Sequence, residues 1–319
     1  MSGHLDRSFS LEAVRVTEAA AINAARQIGR GDEKAADHAA VEAMRAAFNI
    51  LPIDGTVVIG EGERDEAPML FIGEKVGSGG IKVDIALDPL EGTTLTAKAL
   101  PNALAVMAMA EPGTLLNAPD TYMDKIAIGG GYAEGVIDLD ADPADNIYSL
   151  AKAKGVKPHE ITALILDRPR HEKIISAVRS TGAAVQLITD GDVAGVIATS
   201  DPATGIDIYI GQGGAPEGVL AAAALRCIGG QIQTRLIFKK EDEKRRAEKL
   251  GITDFNRKYT LMDLASGDVV FSATGVTDGS MLKGVKVTRE HIFTESIVMR
   301  SATGTVRWIR ARHRRMDVR

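Results

Sequence analysis

The chain has 319 residues, of which 45% are hydrophobic and 25% are charged, an ordinary balance for a globular protein of one large or two average domains. A net charge of -5 argues against a general nucleic-acid binder, although six arginines lie between Arg307 and Arg319, because no aromatic stacking pattern accompanies them. The single cysteine, Cys227, excludes an internal disulfide and a cysteine-based zinc site, and it favours a reducing compartment.

The first residues, Met1 to Ser10, lack the apolar segment of a signal peptide. No window of the sequence reaches the roughly 18 apolar residues of a membrane-spanning helix. We therefore expect a cytoplasmic protein without a membrane or nucleic-acid partner.

Two helices are predicted next, from about residue 11 to 28 and from Asp32 onward. In the second helix, Asp37 shares a face with three apolar residues, Val41, Met44 and Phe48. A buried ionised carboxylate is costly unless a cation or hydrogen-bond donors accompany it. Asp37 is therefore a candidate metal ligand, and the alternative is a salt bridge near the helix start.

A short strand, Thr56 to Ile59, is followed directly by Gly60, Glu61 and Gly62. Glycine on both sides of Glu61 lets the backbone approach whatever the carboxylate binds. The alternative is an acidic loop in solvent, because Glu63, Asp65 and Glu66 also follow.

The segment from Ile81 to Asp88 alternates apolar and polar residues, which predicts a strand that Pro89 ends. Asp88 would lie at the carboxyl end of this strand, with Glu91 and Thr93 in the following turn. Two carboxylates and a hydroxyl suit Mg²⁺ or Mn²⁺ together with a phosphoryl group. The alternative is a polar turn in which Thr93 or its neighbour caps the next helix.

A buried strand is predicted at 102–110 and a glycine-interrupted hairpin at 125–137. From about residue 155, strands and helices alternate, which predicts a parallel sheet with functional loops at one edge. The predicted strands are 161–166, 184–188 and 206–210, and the predicted helices are 170–180, 192–199 and 216–228. The charged segment 239–249 is interpreted as a solvated helix without a catalytic role.

Three loops follow these strands and precede helices, at 167–171, 189–192 and 211–218. The glycines before Pro216 expose backbone N–H groups at a helix start, which favours an anion such as phosphate. A carboxylate such as Glu217 does not bind phosphate unaided, so a bridging cation would reconcile it with an anion at this helix start. The alternative is a helix cap in which Glu217 complements the helix dipole. Arg168 and Arg170 are suited to hold a phosphate, although arginines also occur in ordinary surface loops.

The motif Asp88-Pro-Leu-Glu91-Gly-Thr93 resembles the signature of the metal-dependent, lithium-sensitive sugar and inositol phosphatases. The wider set of motifs resembles class II fructose-1,6-bisphosphatase. That set comprises Gly29-Arg-Gly-Asp32, Ala36-Asp37, Ile59-Gly-Glu61-Gly-Glu63, Asp65-Glu-Ala-Pro-Met69, Arg168-Pro-Arg-His171, Asp190-Gly-Asp192, Gly213-Gly-Ala-Pro-Glu217-Gly218 and Phe271-Ser-Ala-Thr-Gly275. Arg168 departs from the lysine that is common in the family at this position.

The resemblance implies a layered αβαβα fold of the α/β class, with a mixed sheet in the N-terminal half and a mostly parallel sheet in the C-terminal half. We place the domain boundary at 155/156, which leaves the substrate loops and Glu217 in the second domain. The implied ligands of two or more divalent metals, Mn²⁺ or Mg²⁺, are Asp37, Glu61, Asp88, Glu91 and Glu217. The implied catalytic residues are Thr93, Glu61 and Asp88. The implied substrate contacts are Glu91, Gly92, Thr93, Tyr122, Arg168, Pro169, Arg170, Asp190, Gly191, Asp192 and Gly214.

The family implies hydrolysis of the 1-phosphate of fructose 1,6-bisphosphate by a homo-oligomer, a dimer or a tetramer. An alternative is hydrolysis of sedoheptulose 1,7-bisphosphate, alone or beside the six-carbon substrate, because discrimination between such homologues is modest. An inositol monophosphatase fits less well, since a monophosphate has no second phosphate for the arginine loop to hold. A non-catalytic sugar-phosphate sensor is the alternative from another class, and Thr93 with the full carboxylate set argues against it.

Overall fold

A computed structural model of the protein describes residues 8–60 and 70–315. These residues divide into two compact units. The terminal unit takes the described residues up to Leu115 and those from Gly267 onward, and the central unit is Leu116–Ser266. The boundary predicted at 155/156 falls inside the central unit. The terminal unit is discontinuous in sequence because residues 269–275 return to pair with residues 104–110. Local sequence pattern carries no mark of such a distant pairing.

The described helices are α1 (Phe9–Ala24), α2 (Glu33–Asn49), α3 (Thr93–Ala97), α4 (Pro143–Lys154), α5 (Glu172–Ser180), α6 (Asp192–Ala198), α7 (Ala215–Ile228), α8 (Glu241–Lys249) and α9 (Leu261–Leu264). The described strands are β1 (Ile53–Ile59), β2 (Lys75–Val76), β3 (Ile81–Glu91), β4 (Leu104–Ala110), β5 (Tyr122–Gly129), β6 (Thr162–Leu166), β7 (Ala184–Ile188), β8 (Ile208–Gly214), β9 (Gly230–Ile237), β10 (Tyr259–Thr260), β11 (Val269–Gly275), β12 (Lys286–Val287), β13 (His291–Arg300) and β14 (Thr305–Arg314). The predicted α/β class is confirmed. None of the helices described here has the length and apolar character needed to cross a bilayer.

The terminal unit contains a mixed sheet in the order β12-β13-β11-β4-β3-β1-β2, with β14 paired to β13. Strands β1 and β3 are parallel, whereas β3, β4, β11 and β13 pair antiparallel in succession. Helix α1 packs on α2 and on this sheet. The predicted inner face of α2 is confirmed, since Val41, Met44 and Phe48 are buried in the core, while Asp37 lies one turn earlier and is half-buried.

Strand β3 continues through Pro89 to Glu91, so the prediction that proline ends the strand is wrong. Asp88 pairs with Val106 and Glu91 pairs with Leu104, which leaves one extra residue on β3. The mismatch is a β-bulge, in which the extra residue is left unpaired. The sheet therefore requires no backbone N–H from Pro89. The imino acid is therefore accommodated inside the strand.

The sheet of the central unit has the order β10-β9-β5-β8-β6-β7. The predicted alternation of strands and helices is confirmed from β6 to α7, and β6 pairs parallel with both β7 and β8. The other three pairs are antiparallel. This sheet is therefore mixed, and the expectation of a mostly parallel one is not met.

The difference arises at β5, where the predicted hairpin at 125–137 is wrong. Residues Tyr122–Gly129 form one strand between β8 and β9. Gly129 and Gly130 are needed for close backbone approach, because a Cβ there would overlap the carbonyl oxygens of Thr199 and Gly229. The glycines that suggested a turn instead let a central strand pack tightly.

Candidate active site

One edge of the central sheet collects the predicted substrate loops. Strands β6, β7 and β8 are parallel, so the loops that follow them leave from the same edge, where open α/β sheets bind ligands. Strand β5 runs antiparallel to both β8 and β9, and its first residue, Tyr122, pairs with Gly214 and Ile237. The start of β5 and the end of β9 therefore lie at this edge as well.

The arginine loop connects β6 to α5 through a short 3-10 turn, Pro169–His171. Arg168 donates to the carbonyl of Asp167, and Nη2 of Arg170 donates to the carbonyl oxygen of Gln212 at 2.8 Å. The Arg170 guanidinium also lies 5.1 Å from the ring centroid of Tyr122, a residue that is 39% exposed. Two predicted substrate residues, Arg170 and Tyr122, are thus in contact.

His171 fixes this loop to β8, a role that sequence reasoning missed. Its ring is buried, with Nδ1 2.7 Å from the carbonyl oxygen of Leu166, while Nε2 accepts from the N–H of Gln212 at 2.9 Å. Since Nε2 accepts, the proton is on Nδ1 and the ring is neutral. Burial lowers the pKa of His171 below its usual 6.5, and the nearby Arg170 acts in the same direction.

His171→Ala is expected to destabilise the protein by about 2–4 kcal/mol near neutral pH, because two buried backbone groups lose their partner. A lowered pKa in the fold means that the unfolded chain binds the proton more readily. The advantage of the wild type over the variant should therefore shrink as pH falls below about 6.5. Urea denaturation of both proteins across this range measures the difference, and a difference independent of pH would contradict the neutral ring.

Asp192 and Lys125 form a buried ion pair beneath the same edge. Nζ of Lys125 donates to Oδ2 of Asp192 at 2.6 Å, and their side chains are 1% and 7% exposed. A Cβ on Gly213 would overlap this carboxylate oxygen. Lys125 was missed, although a lysine directly before the apolar residues Ile126 to Ile128 is itself a sign of a buried partner.

Glu217 lies in the first turn of α7, directly after the glycines that end β8. Its Oε2 is buried and has no hydrogen-bond partner among the described residues. Gly214 makes room for this carboxylate, since a Cβ there would overlap Oε2. Burial, together with the negative charge of Asp192, raises the pKa of Glu217 to about 7, and Lys125 opposes this shift.

A divalent cation fits this arrangement. When Glu217 is ionised, it and Asp192 place two negative charges against the one positive charge of Lys125, and Oε2 of Glu217 is buried without a donor among the described residues. Desolvated carboxylates of this kind are stabilised by a metal ion. The helix-cap alternative for Glu217 does not account for the buried oxygen.

The terminal unit also carries predicted metal ligands, Asp88 and Glu91, at the end of β3. Oδ1 of Asp88 accepts from the N–H of Leu90 at 3.0 Å, and Glu91 is 4% exposed. Gly92 follows with a φ of 91° and is the N-cap of α3, so Thr93 is the first residue of that helix. The alternative in which Thr93 or Thr94 caps the helix is therefore wrong. The sharp turn thus places Glu91 and Thr93 on either side of one glycine.

Helix α2, which carries Asp37, is held against α3 in the same unit. The N–H groups of Gly29 and Gly31 donate to the carbonyl oxygens of Thr96 and Ala97, both at 2.9 Å. Both glycines have positive φ, which places these donors at the end of α3. The Gly-Arg-Gly motif is therefore a structural clamp between the two helices.

Glu61, predicted as a metal ligand and catalytic residue, lies outside the described residues. Within 8–60 and 70–315, no group of three or more His, Cys, Asp and Glu side chains forms a ready metal site. The shared metal site of Asp37, Asp88, Glu91 and Glu217 remains a prediction.

Comparison with known proteins gives a consistent result. Residues 7–313 match the family described as bacterial fructose-1,6-bisphosphatase, glpX-encoded. The chain is 45% identical over 322 aligned positions to fructose-1,6-bisphosphatase 1 class 2 of Escherichia coli strain K12, covering 96% of this chain and 95% of that protein. The same values apply to fructose-1,6-bisphosphatase class 2 of Shigella flexneri.

Proposed function

The chain belongs to the family of glpX-encoded bacterial fructose-1,6-bisphosphatases, and we propose that it hydrolyses the 1-phosphate of fructose 1,6-bisphosphate to give fructose 6-phosphate and phosphate. The observation that carries this proposal is the match of residues 7–313, nearly the whole chain, to one family of that activity. The buried Glu217 and the arginine loop support it with the chemistry of a metal-dependent phosphatase.

We assign the metal ligands as Asp37, Glu61, Asp88, Glu91 and Glu217, for two or more Mn²⁺ or Mg²⁺ ions. When bound, such ions neutralise phosphoryl oxygens and lower the pKa of water. Support comes from the donor set, which is made of carboxylates, and from the unpartnered Oε2 of Glu217 in the described part of the chain.

The other residues bind and orient the substrate. Arg168 and Arg170 hold the 6-phosphate, and Tyr122 packs beside Arg170. Backbone groups at Gly92, Pro169, Gly191 and Gly214 shape the approach to the sugar, and the Asp190 carboxylate accepts from a sugar hydroxyl. Asp192 already forms an ion pair with Lys125, so we assign it an electrostatic role beneath the site. Thr93 Oγ1 orients the attacking water.

Phosphate release from a panel of sugar phosphates tests this function. We expect turnover of fructose 1,6-bisphosphate with Mn²⁺ or Mg²⁺, no turnover of fructose 6-phosphate, and loss of activity with a chelator. A coupled assay for fructose 6-phosphate identifies which phosphate leaves. Equal rates on mono- and bisphosphates would contradict the assignment of the arginine loop.

The same panel separates the alternatives. Turnover of sedoheptulose 1,7-bisphosphate at a comparable kcat/KM would show a dual bisphosphatase. Sugar-phosphate binding without any turnover would instead show a sensor.

We also propose a cytoplasmic homodimer or homotetramer that binds no nucleic acid. The absence of a membrane-spanning helix in the described part of the chain is compatible with this placement. Light scattering of the purified protein gives the oligomeric state directly.

A further inference from the structure

A second cation lies on the ring of Tyr122, besides Arg170. Lys239 follows the end of β9, where Ile237 pairs with Tyr122. Its Nζ lies 4.0 Å from the centroid of the Tyr122 ring, whereas the guanidinium carbon of Arg170 lies 5.1 Å from it. Lys239, Arg170 and Tyr122 are all exposed at the sheet edge that carries the arginine loop.

The two cations on the Tyr122 ring differ from the basic residues of α8, which form ion pairs. In α8, Lys244 pairs with Glu241 at 2.7 Å and Arg245 pairs with Asp242 at 2.9 Å. The side-chain ammonium of Lys239 forms no ion pair among the described residues, although the backbone N–H of Lys239 donates to Oε2 of Glu243. Two cations that share one aromatic ring repel each other, and the ring quadrupole offsets only part of this repulsion.

An anion with several acceptor oxygens satisfies such a cluster. Arg170 supplies a planar fork of donors, and Lys239 supplies a compact ammonium on a flexible stem. A phosphate group bound between them would receive hydrogen bonds from two directions. The charged segment that begins at Lys239 therefore contributes one residue to the substrate edge, and the remainder forms the solvated helix predicted from the sequence.

We propose that Lys239 is a substrate-binding residue that contacts, with Arg170, the phosphate remote from the reacting bond. This inference rests on the proposed function for its substrate. It concerns recognition of the distal phosphate and does not involve the metal ligands.

The test compares Lys239→Gln, Lys239→Arg and the control Lys240→Gln, which removes an equal charge from the adjacent exposed residue. Lys239→Gln should raise KM for fructose 1,6-bisphosphate about tenfold, because a charge-assisted contact is lost. The arginine variant should recover most of this loss, and Lys240→Gln should behave like the wild type. None of the variants should change kcat/KM for fructose 1-phosphate, which has no distal phosphate. Equal effects of Lys239→Gln on both substrates, or equal effects of the two glutamine variants, would overturn the proposal.

A binding measurement separates this inference from the proposed function. Calorimetric titration of each protein with fructose 6-phosphate reports on the distal-phosphate contact without any turnover. Weaker binding by Lys239→Gln alone would support the contact even if the wild type hydrolysed no bisphosphate. Unchanged binding would reject the contact even if hydrolysis were confirmed.

Discussion

Asp88→Asn is expected to lower kcat for fructose 1,6-bisphosphate by on the order of 10³-fold. A lost metal ligand costs several kcal/mol of transition-state stabilisation, and each 1.4 kcal/mol is about a factor of ten in rate. The asparagine amide oxygen can still accept from the N–H of Leu90, so the turn around Pro89 should persist. Steady-state rates with saturating Mn²⁺, together with the circular dichroism spectrum and melting temperature, measure both effects.

Asp84→Asn is the matched control for this substitution. Asp84 lies on the same strand and is buried, and its Oδ2 accepts from the N–H of Gly113 at 2.6 Å, a bond that asparagine can preserve. It belongs to no part of the proposed site, so the rate should stay within about a factor of a few of the wild type. Near-normal turnover by a folded Asp88→Asn protein would end the assignment of Asp88.

Glu217→Gln is expected to lower the metal-dependent turnover rate by at least about 100-fold. The same substitution should make the metal-free protein more stable. Glutamine resembles the protonated carboxyl group, so it removes the cost of burying a charge. The pKa of Glu217 rises from 4.5 to about 7 on folding because of burial. The folded protein therefore holds a proton that the unfolded chain has already released, and stability declines with rising pH in this range.

The stability difference should consequently depend on pH in a defined direction. The free energies of unfolding of Glu217→Gln and the wild type should be similar below about pH 4.5. Above about pH 7 the variant should be more stable by on the order of 3 kcal/mol. Guanidinium denaturation in the presence of a chelator measures this difference. Added Mn²⁺ should stabilise the wild type more than the variant, since a ligand that binds the folded state raises its stability.

Glu172→Gln is the control for this experiment. Glu172 occupies the first turn of α5, as Glu217 occupies the first turn of α7, but its side chain is exposed. The substitution should leave turnover unchanged and should lower stability by no more than about 0.3–1 kcal/mol, because an exposed carboxylate in a first turn interacts only weakly with the helix dipole. A Glu217→Gln protein that is less stable than the wild type at all pH values would show that the carboxylate is a structural partner.

Sequence patterns could nominate those candidate site residues whose signal lies in their immediate chain neighbours. The loops after β6, β7 and β8 and the helix start at Glu217 follow local rules of strand ends, glycine and proline, whereas the rule that proline ends a strand failed at Pro89. Lys125 and Lys239 could not be assigned in this way. Each has a partner far along the chain, Asp192 and Tyr122 respectively, and only the pairing of strands brings these partners together.

Sequence patterns were sufficient to predict the family, the α/β class, the order of strands and helices around the arginine loop, and the inner face of α2. These depend on motifs and on periodicity, which are local properties. Three further features became evident from the three-dimensional structure: β5 is a central strand, β11 returns to pair with β4, and the ring of His171 is held between Leu166 and Gln212. Such features arise from close packing and pairing between distant segments, because a glycine or histidine has the same local pattern whether it forms a turn or fills a tight contact.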